Sequence, residues 1–148
     1  MRFAITIVAA CCLGSCASGW QGETLSPSDV NDSPHVHAGH PVLVRGYLSL
    51  DSEAHVMFES REISNRIRAG WGTPGFDPRD FIQYCLTIAN PQLLMENKNW
   101  FDGKTIVIKG EVDPAYRSRV FDLGACVGEP ALMIDETDLR RRYGKFMN

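Results

Sequence analysis

Three histidines stand close together in Pro34-His35-Val36-His37-Ala38-Gly39-His40. Neutral imidazole is a common metal ligand, so this spacing could wrap one ion. No Cys or carboxylate pair nearby completes a four-ligand set. The competing reading is a solvated linker, and no metal or other cofactor is expected. Cys85 and Cys126 are the two cysteines outside the N-terminal segment. In an exported chain such a pair suggests a disulfide; the alternative is a buried thiol at Cys85 and a loop thiol at Cys126. Neither has a Cys-x-x-Cys partner or an adjacent base, which argues against a catalytic thiol.

Hydrolytic chemistry needs a nucleophile, a base and an orienting group brought together. Ser60 and His55 are near in sequence, but period-two alternation would put them on opposite faces of a strand. Glu59, Arg61 and Glu62 could be arranged around a nuclease metal; the plainer reading is a solvated strand end. There is no Gly-x-Ser-x-Gly elbow and no Gly-x-x-x-x-Gly-Lys phosphate loop. Gly70-Trp71-Gly72 is the wrong pattern for a dinucleotide loop. No catalytic residue is assigned.

Binding is the chemistry that remains. Trp71 and Phe76 lie in Gly70-Trp71-Gly72-Thr73-Pro74-Gly75-Phe76-Asp77-Pro78, a loop by its punctuation. Aromatic rings on a loop can stack on sugars or anchor a protein partner. They could equally close the open end of a barrel.

The elements that must carry these residues are mostly strands. Val42, Val44, Gly46, Leu48 and Leu50 alternate with Leu43, Arg45, Tyr47 and Ser49, which predicts a first strand. After the turn at Asp51-Ser52, Ala54, Val56 and Phe58 alternate with His55, Met57 and Glu59 in a second. Ile63 to Ala69 could form a short helical turn. A third strand is Ile82, Tyr84, Leu86 and Ile88 against Gln83, Cys85 and Thr87. Asn90-Pro91 reads as a helix start, with a short helix running to about Lys98. Asp102-Gly103 turns into a fourth strand, Ile106 to Val112, and Ala131 to Glu136 is a fifth.

The expected class is therefore mostly β. The order β-β-β-α-β-β is that of a small five-stranded OB-like Greek-key barrel with one short helix between strands three and four. Gly46 and Gly110 fall in mid-strand, where glycine often marks a bulge or sharp bend. A small barrel needs such bends. An OB barrel commonly binds on the exterior of strands two and three. Here that face would offer Tyr47, His55, Met57 and Gln83, beside Trp71 and Phe76.

Composition bounds the function. Apolar residues are 44% and charged residues 22%, as in an ordinary globular domain. The formal net charge is −3, which argues against a nucleic-acid partner. No apolar run reaches the ~18 residues of a membrane span.

Arg2 followed by the apolar stretch Phe3 to Leu13 reads as an export signal. Leu13-Gly14-Ser15-Cys16 resembles the bacterial lipoprotein signal. The resemblance implies cleavage after residue 15 and lipid on Cys16. Residue 17 is Ala rather than Asp, which in that family favours the outer membrane. Residues 16–40 then read as a flexible tether, 41–139 as the barrel domain and 140–148, with Arg140-Arg141-Arg142, as a basic tail.

Val42-Leu43-Val44-Arg45-Gly46-Tyr47-Leu48 with Ser60-Arg61-Glu62 also resembles a group of bacterial OB-like exported proteins of no assigned activity. Asp102-Gly103-Lys104 leading into Ile106 to Val112 resembles the same group. The resemblance implies the fold and export, not a chemistry. The expected function is a lipid-anchored, non-catalytic envelope protein, binding a protein or glycan partner. The alternative is an envelope hydrolase or metal-binding protein.

Overall fold

The computed structural model describes residues 23–51, 54–121 and 126–147. Cys16 and the rest of the signal region lie outside them.

Among the described residues six strands form one sheet: β1 Thr24–Leu25, β2 Pro41–Ser49, β3 Val56–Phe58, β4 Cys85–Ile88, β5 Thr105–Asp113 and β6 Ala131–Ile134. Five of them close into a barrel in the order β2-β3-β4-β6-β5 and back to β2. The pairs are antiparallel except β4 with β6. The short β1 lies parallel on β2 at Leu43 and Val44. Closure comes from β2, which pairs with β5 through residues 41–47 and with β3 through 47–49.

Alternation along the strands fills the interior. Val42, Val44, Leu48, Met57, Leu86, Ile88, Ile106, Ile108, Val112, Leu132 and Ile134 belong to one buried cluster. Each such side chain contributes about 1.5–3 kcal/mol by leaving water. Gly46 and Gly110 both sit on this inward face of β2 and β5. A Cβ on Gly46 would overlap the Met57 side chain, and one on Gly110 the backbone carbonyl of Met133. Their φ angles are not positive, so glycine is needed there for close approach, not for an unusual backbone.

The structure corrects the expected class in its helix content. Instead of one short helix, seven are present among the described residues: α1 Pro27–Asp32, α2 Pro34–His37, α3 Arg61–Gly70, α4 Gln92–Glu96, α5 Lys98–Phe101, α6 Tyr116–Arg119 and α7 Glu136–Tyr143. Two 3-10 helices, Pro78–Tyr84 and Gly144–Phe146, add to them. Most span only four to six residues, too few turns to show a helical period in the sequence.

The tether is corrected too. Ser26 caps α1 in a reciprocal capping box with Asp29, Pro27 occupies its first turn, and Val30 is fully buried in the barrel cluster. Residues 24–37 are therefore folded onto the domain rather than strung before it. Asn90 does not cap α4; its amide donates to the carbonyl of Ile134 and its oxygen accepts from the Ile134 N–H. It ties the end of β6 to the chain just beyond β4, its neighbour in the barrel. The fifth strand ends at Ile134, because Asp135 caps α7 by accepting from the N–H of Asp138.

The basic tail begins as the last turn of α7. Leu139 enters the core, and the Tyr143 hydroxyl both accepts from the N–H of Val107 and donates to its carbonyl. Beside the same helix, Asp138 is buried and paired with Arg141 and Arg142. Burial alone would push its carboxyl up, but the hydrogen bonds from Arg141 and then Arg142 outweigh it and hold the group below its usual range. A lowered carboxyl stabilises the fold above the unfolded-chain value, near 3.9, and stops doing so as pH falls through the lower folded value. Asp138→Asn is expected to cost about 1–2 kcal/mol at neutral pH, reduced by the exposure of the arginines. Denaturant unfolding across pH checks this: the gap between the two proteins should narrow below about pH 4.

Candidate functional site

Helix α3 packs across the outside of the barrel. Ser60 caps it by accepting from the N–H of Ile63 at 3.3 Å. On the barrel side, Val56, Phe58, Cys85 and Cys126 make a second buried apolar cluster, with Tyr47, Ala54, Ile63 and Ile67 packed against it. Cys85 and Cys126 form a disulfide with Cα atoms 5.9 Å apart. Thr87 accepts from the N–H of Cys126 at 2.9 Å, and Arg117 donates to its carbonyl.

Between α3, the 3-10 helix Pro78–Tyr84 and this outer barrel face lies an open groove of about 520 Å³. Val56, Phe58, Ile67, Phe81, Ile82 and the disulfide give it apolar walls, and Trp71 lines its rim. Its polar residues are Ser49, Asp51, Ser64 and Arg68. Arg68 donates to the Ser49 hydroxyl at 3.4 Å and lies 3.7 Å from the Asp51 carboxylate. Ser64 sits one turn before Arg68 on the same helix face.

The loop after α3 is held by its own hydrogen bonds. The N–H of Trp71 donates to the carbonyl of Ile67, and both the N–H and the hydroxyl of Thr73 donate to that of Gly70. The Phe76 ring occupies the space a side chain on Gly70 would fill, and stacks on Phe81 at 5.5 Å. Trp71 is left 66% exposed on a fixed loop. A second, shallower concavity lies on its other side, lined by Gly72, Thr73, Pro74, Phe76 and Pro78.

The expected binding residues therefore divide. Trp71 reaches the groove; Phe76 is half-buried and buttresses the loop. Tyr47 is half-buried on the barrel exterior with the Arg61 guanidinium 5.6 Å over its ring. His55 is half-buried just before β3, its carbonyl accepting from the N–H of Ile88. Met57 does not belong to an exterior face: it is fully buried inside the barrel. The phase of that strand is opposite to the expected one, with Val56 and Phe58 outward beneath α3. Gln83 is exposed but lies on the 3-10 helix, not on a strand, and its carbonyl accepts from Asn31.

The residues weighed for chemistry have structural partners instead. The Glu59 carboxylate accepts from the N–H of Ser28. Among the described residues, no group of three or more His, Cys, Asp or Glu is placed to hold a metal ion. Among them, too, no helix is long and apolar enough to cross a membrane. The sequence reading missed Ser49, Ser64, Ile67 and Arg68. For the last three the signal was the spacing of Ser64, Ile67, Arg68 and Trp71, one face of a helix. Comparison with protein-family models, with curated proteins and with solved structures finds no match to this chain.

Proposed function

We propose that this chain is a non-catalytic binding protein of the bacterial envelope, an OB-like barrel lipid-anchored at Cys16 on the periplasmic side of the outer membrane. The barrel's strand order, with its third and fifth strands parallel, supports the OB-like reading. Leu13-Gly14-Ser15-Cys16 supports the anchor. One observation carries the binding role: an indole two-thirds exposed on a hydrogen-bonded loop, between two concavities. A tryptophan held so loses little entropy when a partner covers it, and such residues dominate interface energies. Its flanks are mainly apolar, which favours the side chains of a protein partner over a sugar.

Trp71→Ala is expected to leave the melting temperature nearly unchanged, because the indole is exposed. Crosslinking and pull-down from the envelope with the full chain should lose partner capture by roughly tenfold or more. Unchanged capture would remove the rim from the reading. Capture of a glycan that survives protease treatment would reassign the partner's class.

A further inference from the structure

Where α5, α7 and the 3-10 helix Gly144–Phe146 meet, an aromatic stack lies apart from the groove. Trp100 stacks on Phe146 with ring centroids 4.3 Å apart and meets Tyr143 at 5.5 Å. The Lys104 ammonium lies 3.9 Å over the Trp100 ring, and that of Lys145 lies 4.7 Å over Phe146. Phe146 is still 41% exposed. The surface continues past Gly103, where an added Cβ would lie 3.5 Å from the Tyr47 hydroxyl, to the Arg61 guanidinium over the Tyr47 ring. Arg45, also exposed, stands two residues before Tyr47 on the same side of β2. Among the described residues, Arg45, Arg61, Lys104 and Lys145 have no ion pair, whereas Lys109, Arg119, Arg141 and Arg142 are each held by an aspartate. Asp102 and Glu62, next in the chain to this surface, bond elsewhere: Asp102 accepts from the N–H of Leu50, and Glu62 is hydrogen-bonded to Ser60.

We infer that this face docks on anionic phospholipid headgroups. Cations that no carboxylate holds can take phosphates, and an exposed ring between two ammonium groups has the amphipathic form of a membrane-interface anchor. The occupant follows from the tether, and here the inference rests on the anchor proposed at Cys16. Cys16 precedes Glu23 by seven residues, which span at most ~25 Å. The described chain then enters as β1 beside Leu43 and Val44, next to Arg45 in β2. A lipid on Cys16 therefore holds this side of the barrel within reach of the bilayer. The formal net charge of −3 does not oppose docking, because exposed charges on the far side are screened beyond ~8 Å. Trp71 is left for a partner, since α3 begins at Arg61 and carries Trp71 past its other end, ~15 Å away.

The full chain is reconstituted in phosphatidylcholine vesicles, with or without phosphatidylglycerol, and probed by hydroxyl-radical footprinting with mass spectrometry. Oxidation of Trp100 and Phe146, relative to Trp71, should fall about fivefold when phosphatidylglycerol is present and recover in high salt. Arg45→Gln/Arg61→Gln removes two exposed charges. Each should weaken docking about fivefold, so the double variant should regain most of the oxidation. Equal oxidation in the two kinds of vesicle overturns the inference. So does protection that survives the double variant, or equal protection by soluble polyglutamate, which would make the face a site for an acidic protein. The anchor is read separately: a chain that washes free of phosphatidylcholine vesicles refutes lipid on Cys16. Excess phosphatidylglycerol vesicles then still protect the two rings or fail to, and that result decides the docking alone.

Discussion

Gly110→Ala is expected to lower the unfolding free energy by about 3 kcal/mol, at the upper end for an overpacked core position. Gly110 pairs with Val42 on one side and with Ile134 on the other, so both its neighbours are fixed by the barrel ladder. An added methyl would run into the Met133 carbonyl and reach 2.9 Å from Leu132 Cδ1. The first of these is backbone, and moving it means shifting β6 against β4 and β5. Gly144→Ala is the control, because nothing lies within 4 Å of the new methyl and its φ is ordinary. It should stay within about 0.5 kcal/mol of the parent. Denaturant melts of the three proteins check the pair. A Gly110→Ala protein as stable as the parent would mean that β5 and β6 can part without cost.

The barrel was legible because its long strands alternate cleanly and its glycines mark where they crowd. What failed was phase. In Val56-Met57-Phe58 both faces are apolar, so period two is visible while inside and outside are not. Met57 went to the barrel, and Val56 and Phe58 went under α3. Alternation cannot reveal that a sheet's outer face will be covered by a helix. The groove was hidden for the same reason. Trp71 announced itself by its loop, whereas Ser64 and Arg68 acquire meaning only once α3 is laid on the barrel. At the N-terminus the signal was present but outweighed. Ser26-Pro27-Ser28-Asp29 carries the residues of a helix start, yet the polar composition around it read as tether. One side chain decides the matter there: Val30 supplies the anchor that a tether would lack.

Removing the Cys85–Cys126 crosslink is expected to have the largest effect on stability. The two residues are 41 positions apart, and closing a loop of that length removes about 4 kcal/mol of chain entropy from the unfolded state. The folded state should change little. Cys126 is also held by Thr87 and Arg117, and both sulfurs lie on the outer face of the barrel, away from its core cluster. The Cys85→Ala/Cys126→Ala protein should therefore keep the far-UV spectrum of the parent while melting roughly 15 °C lower. Adding dithiothreitol should shift the parent by the same amount and leave the double variant where it was. That second comparison separates the crosslink from the packing of the two side chains. A parent that melts at the same temperature with and without reductant would show that the bridge constrains nothing the barrel does not already hold. The effect should also reach the groove, since the bridge lines it and Val127 follows directly on its rim.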